Sequence, residues 1–342
     1  MKSRLAVLLV FMMLGIYSNS QKLKDTLYFK NGSMVVGELK KIKMGVVTFD
    51  PDDANNITVQ LRKIKAITAN SDIFRVETIH KGVFFGFLRP DSIPDNVKVI
   101  LGLQEGSFEI EEIFNLYPFS NKFGQRFNGS VGAGYSYSRS SGFGKINFDG
   151  TLNYNSKNHE LKLATSGIYS QTDTGFTRER EEINVKDNFY FSPRSFATAL
   201  ILYQRNLELG LGRRYQEGAG IGNKFVTTKS VYVWGRTGIV FNQEKSIENV
   251  YSGNLAEWYA QLQFNFFRFT KPEINLDFTQ SFYYGLTDRG RVRNDGETNL
   301  SWEIIDDFKL NLNLYNNYDS KPPVKGNSNF DYGIVIGFQY TF

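Results

Sequence analysis

The sequence predicts an all-β protein in which about twelve antiparallel strands form a transmembrane β-barrel, preceded by two small β units. Aromatic residues make up 15% of the 342 residues, and there are 31 glycines and no cysteine. A chain rich in Phe, Tyr and Gly favours strands over helices. From residue 122 onward, apolar and polar residues alternate with the two-residue period of a strand. No stretch after the first 20 residues is apolar for the roughly 18 residues that indicate a membrane-spanning helix.

Residues 1–20 form a predicted secretory signal peptide. Lys2 and Arg4 precede an apolar run over residues 5–17, and small polar residues follow up to Ser20. A basic start followed by a short apolar run is typical of exported proteins, and this run is too short to span a membrane. We therefore expect cleavage near Ser20 and export of the rest of the chain.

Residues 21–70 and 71–121 are predicted to be two copies of one small β unit. The turn sequence Lys-Asn-Gly at 30–32 matches His-Lys-Gly at 80–82, and each copy continues with a strand and further short alternating strands. This order resembles the five-strand barrel of Sm-like domains. The two copies together carry 13 basic and 13 acidic residues, so their net charge is zero and does not attract nucleic acid. We therefore expect an unknown periplasmic partner instead.

Residues 122–342 are predicted to form the barrel. Twelve strands are expected near 126–138, 142–155, 159–171, 179–191, 195–207, 213–226, 230–242, 255–269, 272–285, 293–304, 308–319 and 328–342. The eighth shows the alternation well, because Trp258 and Leu262 share one face while Glu257 and Gln261 share the other. Each strand is thus a ribbon with one apolar and one polar face.

Strand length, strand number and loop length favour a membrane barrel over a soluble sandwich or a lipocalin-like barrel. Crossing a bilayer at a tilt takes about 9–11 residues, and an even number of strands places both barrel ends on one side. Predicted turns after even-numbered strands are short, whereas most loops after odd-numbered strands are longer, as in outer-membrane barrels. The longest predicted external loop is 243–254, and the loop at 139–141 is a short exception.

In a membrane barrel the apolar face meets lipid and the polar face lines the interior. The predicted lumen-lining residues are Lys145, Asp149, Lys186, Arg236, Glu257, Glu273, Asp277, Glu303 and Lys309. Because both signs are present, these charges could pair and occlude the interior, or they could line a narrow channel.

The last strand ends in alternating aromatic residues, Phe338, Tyr340 and Phe342. This pattern resembles the signal by which the bacterial barrel assembly machinery recognises its substrates. We therefore expect that machinery, together with outer-membrane lipid, to be a partner of the chain.

Three segments carry a resemblance to a known family. Residues 129–138 resemble its first barrel strand, residues 213–222 resemble its Arg-containing, Gly-alternating strand, and residues 318–342 resemble its Pro-Pro external loop and closing strand. The chain thus resembles the YdiY-like, salt-induced outer-membrane proteins, a domain family of unknown function. The resemblance implies a barrel in the outer membrane of a Gram-negative envelope, with the N-terminal region in the periplasm, and implies no reaction.

The residue inventory argues against an enzyme. No cysteine is available as a nucleophile, and His80 and His159, the two histidines, are both predicted in turns. We therefore expect no catalytic residue, no metal and no cofactor. Two functions stay open: a narrow passive channel sensitive to Lys145, Arg236 and Glu257, and a closed barrel that anchors a periplasmic interaction module. A soluble exported β-protein is a third, weaker alternative.

Overall fold

The computed structural model describes residues 23–119, 126–139, 142–172, 175–207, 210–322 and 329–340. Within these residues the chain forms 21 strands and two short 3-10 helices. No helix in this part of the chain is long and apolar enough to cross a membrane. The predicted signal peptide at 1–20 lies outside the described residues.

The N-terminal domain, residues 23–119, contains nine strands. They are β1 (Asp25–Phe29), β2 (Met34–Lys43), β3 (Val46–Pro51), β4 (Ile57–Gln60), β5 (Ile64–Thr78), β6 (Val83–Pro90), β7 (Asn96–Leu101), β8 (Gln104–Glu109) and β9 (Ile113–Pro118). The 3-10 helices Leu61–Lys63 and Ile110–Glu112 precede β5 and β9. Each half of the domain therefore consists of four strands, a 3-10 helix and a returning strand.

The two halves share one strand order. The first half of β5 pairs with β1, so that the order is β5-β1-β2-β3-β4. The second half of β5 pairs with β9 and β6, so that the order is β9-β5-β6-β7-β8. This repetition supports the predicted duplication, and the Sm-like assignment stays a prediction. The predicted boundary at 70/71 falls inside β5, a single strand that belongs to both halves.

The N-terminal domain has one hydrophobic core that both halves build. In β3 the strand alternation buries Val47 and Phe49 and leaves Thr48 half-buried. Phe74 from the middle of β5 and Leu116 from β9 join the same core. Because burying each such side chain stabilises a fold by about 1.5–3 kcal/mol, neither half keeps its full stability without the other.

A buried carboxylate connects the two halves of the domain. Asp25 is fully buried, and its oxygens accept hydrogen bonds from the backbone N–H groups of Leu39, Asn70 and Ser71, each at 2.9 Å. The hydroxyl of Ser71 donates a fourth at 2.6 Å. A buried charge that accepts this many hydrogen bonds is well satisfied, and it fixes the middle of β5 against β1 and β2.

A 12-stranded antiparallel sheet follows the N-terminal domain. Its strands are β10 (Phe127–Ser138), β11 (Phe143–Asn155), β12 (His159–Thr172), β13 (Gly175–Tyr190), β14 (Ser195–Asn206), β15 (Leu211–Thr227), β16 (Val231–Ser246), β17 (Tyr251–Arg268), β18 (Ile274–Gly285), β19 (Val292–Ile305), β20 (Phe308–Asp319) and β21 (Phe330–Tyr340). Each strand pairs with the next in sequence. The predicted all-β class and the twelve antiparallel strands are confirmed.

The predicted long loop at 243–254 is wrong. β16 continues to Ser246 and β17 begins at Tyr251, so that only residues 247–250 connect them. Gln243 pairs with Asn254 in this extension, and Lys245 pairs with Tyr251. The extension is polar on both faces, so it lacks the alternation by which strands inside the sheet are recognised in a sequence.

The 12-stranded sheet is strongly curled. Arg291, which immediately precedes β19, reaches Glu244 on β16 at 3.2 Å across the two intervening strands. We call the concave side, which carries these residues, the inner face, and the opposite side, with exposed residues such as Ile221 and Phe338, the outer face. Among the described residues, pairing runs from β10 to β21 and no ladder joins these two strands.

Candidate functional site

The charged residues selected from the sequence lie together on the inner face. Eight of them are strand residues that share this face: Lys145, Asp149, Lys186, Arg236, Glu257, Asp277, Glu303 and Lys309. Glu273 immediately precedes β18, two residues before a residue of the same face. The period of two therefore places all nine candidates on one side of the sheet.

Glu257 forms a buried ion pair with Arg293. The guanidinium of Arg293 donates from Nε at 3.0 Å and also from Nη2, so that the contact is bidentate. The amide of Asn242 donates to the same carboxylate, and the ring of Tyr283 lies 4.4 Å from the guanidinium carbon. Arg293 was not selected from the sequence, although it shares the alternation of Glu303 within β19.

A second buried cluster is centred on Glu244. Arg214 donates to Glu244 Oε1 at 2.9 Å, and Arg291 donates to Oε2 at 3.2 Å. Arg291 also donates to both carboxylate oxygens of Asp319, at 3.0 and 2.6 Å. This cluster is not predicted from the sequence, because Glu244 and Arg291 fall in predicted loops.

Three of the selected inner-face cations make no ion pair within the described residues: Lys145, Lys186 and Arg236. Arg236 is buried, its guanidinium carbon lies 5.9 Å from the ring centre of Tyr259, and its polar contact is a 3.4 Å hydrogen bond to the hydroxyl of Thr198. Lys186, three strands away on β13, has no carboxylate within ion-pair distance. The inner face thus combines ion-paired charges with charges that have no ion pair among the described residues.

Four other candidates take part in local contacts near the ends of the strands. Lys309 lies 3.9 Å from Glu273, and the backbone N–H of Asp307 donates to Glu303 at 3.3 Å. Asp277 accepts a hydrogen bond from the amide of Asn275 at 3.1 Å. These contacts stabilise the turns of the sheet and bring no catalytic pair together.

The inner face ends at a buried contact with the N-terminal domain. Lys224, near the end of β15, donates to Glu77 of β5 at 3.0 Å, and Arg75 pairs with the other oxygen of the same carboxylate. All three side chains are buried. Tyr190 of β13 closes the cluster, with its ring centre 4.7 Å from the Lys224 ammonium.

The electrostatics of this cluster keep Glu77 ionised. Burial alone would raise the pKa of Glu77, but the charges of Lys224 and Arg75 and a hydrogen bond from Asn115 lower it to about 2. The carboxylate therefore stays charged over the whole physiological range and needs both cations. Since these come from different parts of the chain, ionised Glu77 links the domain to the sheet.

Further contacts join the domain to the same end of the sheet. The ring of Phe114 lies 4.8 Å from that of Tyr232, and Lys229 forms an ion pair with Glu109 at 3.2 Å. Gly45 lies in a turn with φ of +76°, and a Cβ there would be 2.6 Å from the ring of Phe269. The tight turn and the close approach both require glycine at this position.

The remaining sequence candidates lie at the surface. Phe338 and Tyr340 point from the outer face and are largely exposed, whereas Phe342 lies outside the described residues. His80 contacts Glu112 at 3.2 Å, and His159 contacts Asp187 at 3.0 Å. No group of three or more potential metal ligands occurs in the part of the chain that the structure describes.

Comparison with known proteins identifies a family. The family model described as "Protein of unknown function, DUF481" matches residues 131–342. No curated protein matches the chain.

Solved structures similar to the chain include a NanC porin, at 11% identity over 63% of this chain and 99% of that one, with a TM-score of 0.34. A bacterial polysaccharide outer membrane secretin is 9% identical over 79% and 97% of the two chains, with a TM-score of 0.36. OccK11 (OpdR) of Pseudomonas aeruginosa is 8% identical over 93% and 83%, with a TM-score of 0.32.

Proposed function

The chain belongs to the DUF481 family of proteins of unknown function, and we propose that it is a bacterial outer-membrane barrel that anchors its N-terminal domain at the periplasmic mouth. The barrel supplies the membrane anchor, and the domain offers its surface to a periplasmic partner. The charged residues of the inner face neutralise one another in part, and the docked domain blocks the passage of solutes. This role requires no reaction and no cofactor.

The outer face supports a membrane location. Ile201, Ile221 and Phe338 are each more than half exposed on it, and rows of aromatic and aliphatic residues continue along the neighbouring strands. A contiguous apolar surface of this kind is characteristic of proteins that contact lipid. The predicted signal peptide accounts for delivery to the envelope.

The position of the N-terminal domain supports the orientation. It contacts the end of the sheet where the connections are the turns 191–194, 228–230 and 269–273. The longest connection, 320–329, lies at the opposite end. Outer-membrane barrels have short periplasmic turns and longer external loops, and this rule supports a periplasmic position for the domain.

The contact between Glu77 and Lys224 carries the anchoring proposal. A buried ion pair is costly to desolvate and is maintained only when both partners stay in place. Removing the domain would leave Lys224 without its carboxylate at the end of the inner face. Domain and barrel are thus expected to stay docked as one unit.

A narrow anion channel is the second candidate. It is favoured by Lys186 and Arg236, whose charges no carboxylate neutralises within the described residues. Fixed cations on an interior wall attract anions and repel cations. In this alternative the docked domain leaves enough of the mouth open for small ions.

Conductance of the full chain in a planar lipid bilayer separates the two candidates. For the anchor we expect no current steps from the inserted wild-type protein. The variant Lys224→Glu, which places a like charge beside Glu77, should release the domain and produce steps. The exchange Lys229→Glu, at an exposed ion pair with Glu109 on the same side, is the matched control and should remain silent. Stable steps from the wild type would overturn the anchor and support the channel, whose anion selectivity should then fall in Arg236→Gln.

The barrel is also expected to interact with the assembly machinery of the outer membrane. Phe338 and Tyr340 are accessible for this on the outer face. The exchange of both for Ser should lower the amount of folded protein in the membrane fraction, while the same exchange at Phe330 and Tyr332, on the same face of the same strand, should lower it less. Equal loss from both pairs would speak against a terminal signal.

A further inference from the structure

A basic cleft lies on the outer face at the end of the sheet that is opposite to the N-terminal domain. It has a volume of about 610 Å³ and opens between the ends of β13, β14, β15 and β16. Among the described residues its charged lining consists of cations, Arg178, Arg205, Arg213 and Lys245, with no acid. Cations that share one cavity without carboxylate partners repel one another unless an anion is bound.

Three of the four cations have no carboxylate partner in the described part of the chain. Arg178 forms an ion pair with Glu181, its Nε donating at 2.7 Å. Arg205 is positioned by backbone carbonyls instead, those of Arg178 at 3.0 Å and Gly212 at 2.8 Å. This fixes the Arg205 guanidinium at the cleft and leaves its charge unneutralised.

Arg213 and Lys245 are cross-strand partners that are held by aromatic rings. The guanidinium carbon of Arg213 lies 4.8 Å from the ring centre of Tyr215, and the ammonium of Lys245 lies 5.0 Å from that of Tyr251. The Nε of Arg213 is buried without a hydrogen-bond acceptor. A buried donor without an acceptor is costly, and a bound oxyanion would satisfy it.

The location of the cleft indicates the kind of anion. Arg213 and Tyr215 lie on the face of β15 that continues past the exposed Glu217 to Ala219 and the exposed Ile221, so that an apolar surface begins beyond Glu217. Tyr203 pairs with Tyr215 and extends the aromatic border. Along the outer face, cations are followed by aromatic rings and then by aliphatic residues. This order matches a lipid, whose charged headgroup would meet the cations and whose acyl chains would meet the aliphatic residues.

We propose that this cleft binds the phosphate of a phosphorylated lipid headgroup in the external leaflet of the outer membrane. Arg205, Arg213 and Lys245 contact the phosphate oxygens, while the acyl chains lie along the outer face below Tyr215. The proposal rests on the proposed membrane location and orientation. It assigns the cleft to the lipid that surrounds the barrel, independently of any passage through the interior.

The test uses the full chain in detergent, titrated with bisphosphorylated lipid A and followed by native mass spectrometry. Wild type should retain lipid, and the double variant Arg213→Gln/Lys245→Gln should bind it about 30-fold more weakly, as expected for the loss of two cations near an anionic surface. The control Arg289→Gln, an exposed cation at the same end, should stay within about twofold of wild type. Heat-modifiable migration on gels verifies folding, and the single variant Lys245→Gln replaces the double variant if that fails to fold.

Two further measurements distinguish a phosphorylated lipid from a soluble phosphate as the bound anion. Lipid A without phosphates should bind like the double variant, and inorganic phosphate at the same concentration should not displace the lipid. Equal binding by wild type and the folded variants, or by lipids with and without phosphate, would overturn the proposal. Displacement by inorganic phosphate would assign the cleft to a soluble anion instead. Failure of the chain to enter membranes would refute the membrane location, a result distinguishable from an inserted chain with an inactive cleft.

Discussion

The N-terminal domain and the 12-stranded sheet have the same two-residue alternation but bury opposite kinds of residue. In β3 the buried positions are Val47 and Phe49. In β17 the buried positions include Glu257 and Asn265, while Trp258 is exposed. The pattern defines two faces in both regions, and the surrounding medium decides which face turns inward.

This contrast explains how each region is stabilised. The N-terminal domain depends on the hydrophobic effect, for which a single shared core is sufficient. The sheet has to satisfy buried charges instead, and it does so with ion pairs such as Arg293 with Glu257. Substitutions in the core should therefore lower the unfolding free energy in proportion to the side-chain volume that is removed. Substitutions in the ion pairs should lower it most when a buried charge loses its partner.

The largest expected effect concerns the closure of the sheet, on which the contrast depends. In lipid every backbone N–H and C=O must pair within the protein, so β10 and β21 are expected to join. Since the chain has no cysteine, Ala133→Cys can be combined with Cys at position 334, 336 or 338 on β21. One of these pairs should crosslink almost completely under oxidation in membranes, whereas Ala133→Cys with Ile239→Cys should not. If none of the three pairs forms a crosslink, the sheet is not closed and the proposed contrast between the two regions is contradicted.

The next effect compares equal truncations in the two regions. Phe74→Ala removes a fully buried ring from the core and should cost about 3–5 kcal/mol of unfolding free energy. Phe338→Ala removes an exposed ring from the outer face and should cost less than about 1 kcal/mol in detergent. Pulse proteolysis of the full chain in urea, with fragments assigned by mass, measures both. Similar losses of unfolding free energy in the two variants would contradict the difference between an apolar interior in the domain and an apolar exterior in the sheet.

A smaller net effect is expected for exchanging the buried ion pair as a unit. Arg293→Leu alone leaves Glu257 buried without its cation and should destabilise the barrel by about 3–5 kcal/mol. The double variant Arg293→Leu/Glu257→Leu should recover most of this loss, because no unpaired charge remains. Urea unfolding followed by tryptophan fluorescence completes the double-mutant cycle. Additive losses would mean that the two side chains act independently.

The smallest effect concerns the acid sensitivity of the contact between the two regions. The pKa of Glu77 is about 2 in the folded protein against an ordinary value of 4.5, because Lys224 and Arg75 outweigh its burial. A lowered pKa stabilises the fold above about pH 4.5, and this contribution is lost as the pH falls towards 2. The melting temperature of the wild type should therefore exceed that of Glu77→Gln at pH 7. The difference between the two melting temperatures should narrow as the pH falls below 4.5. A constant gap between pH 7 and pH 3 would exclude Glu77 as the titrating group.

The strands and their faces could be predicted because alternation is a local property. Glu257 and Trp258 are neighbours in sequence, and their opposite placement follows from the strand period alone. The same rule placed the nine selected charges on one face. The repeated turn at 30–32 and 80–82 predicts an internal duplication, and the two halves of the domain have the same strand order.

Partners across strands could not be predicted, because they depend on register and on distant parts of the chain. Arg293 meets Glu257 through the pairing of three strands, and Lys224 meets Glu77 across two separate folding regions. Glu244 was hidden by a polar extension of β16 that resembles a loop in composition. The basic cleft was missed for the same reason, since Lys245 lies in that extension.

The strand β5, which serves both halves of the N-terminal domain, has a consequence for the order in which the domain folds. A ribbon of residues 25–69 emerging first lacks β9, which covers Ile42 through Leu116, and lacks the Phe74 ring of its own core. The domain therefore completes its core only when the chain is present up to β9, so that the two halves finish folding together.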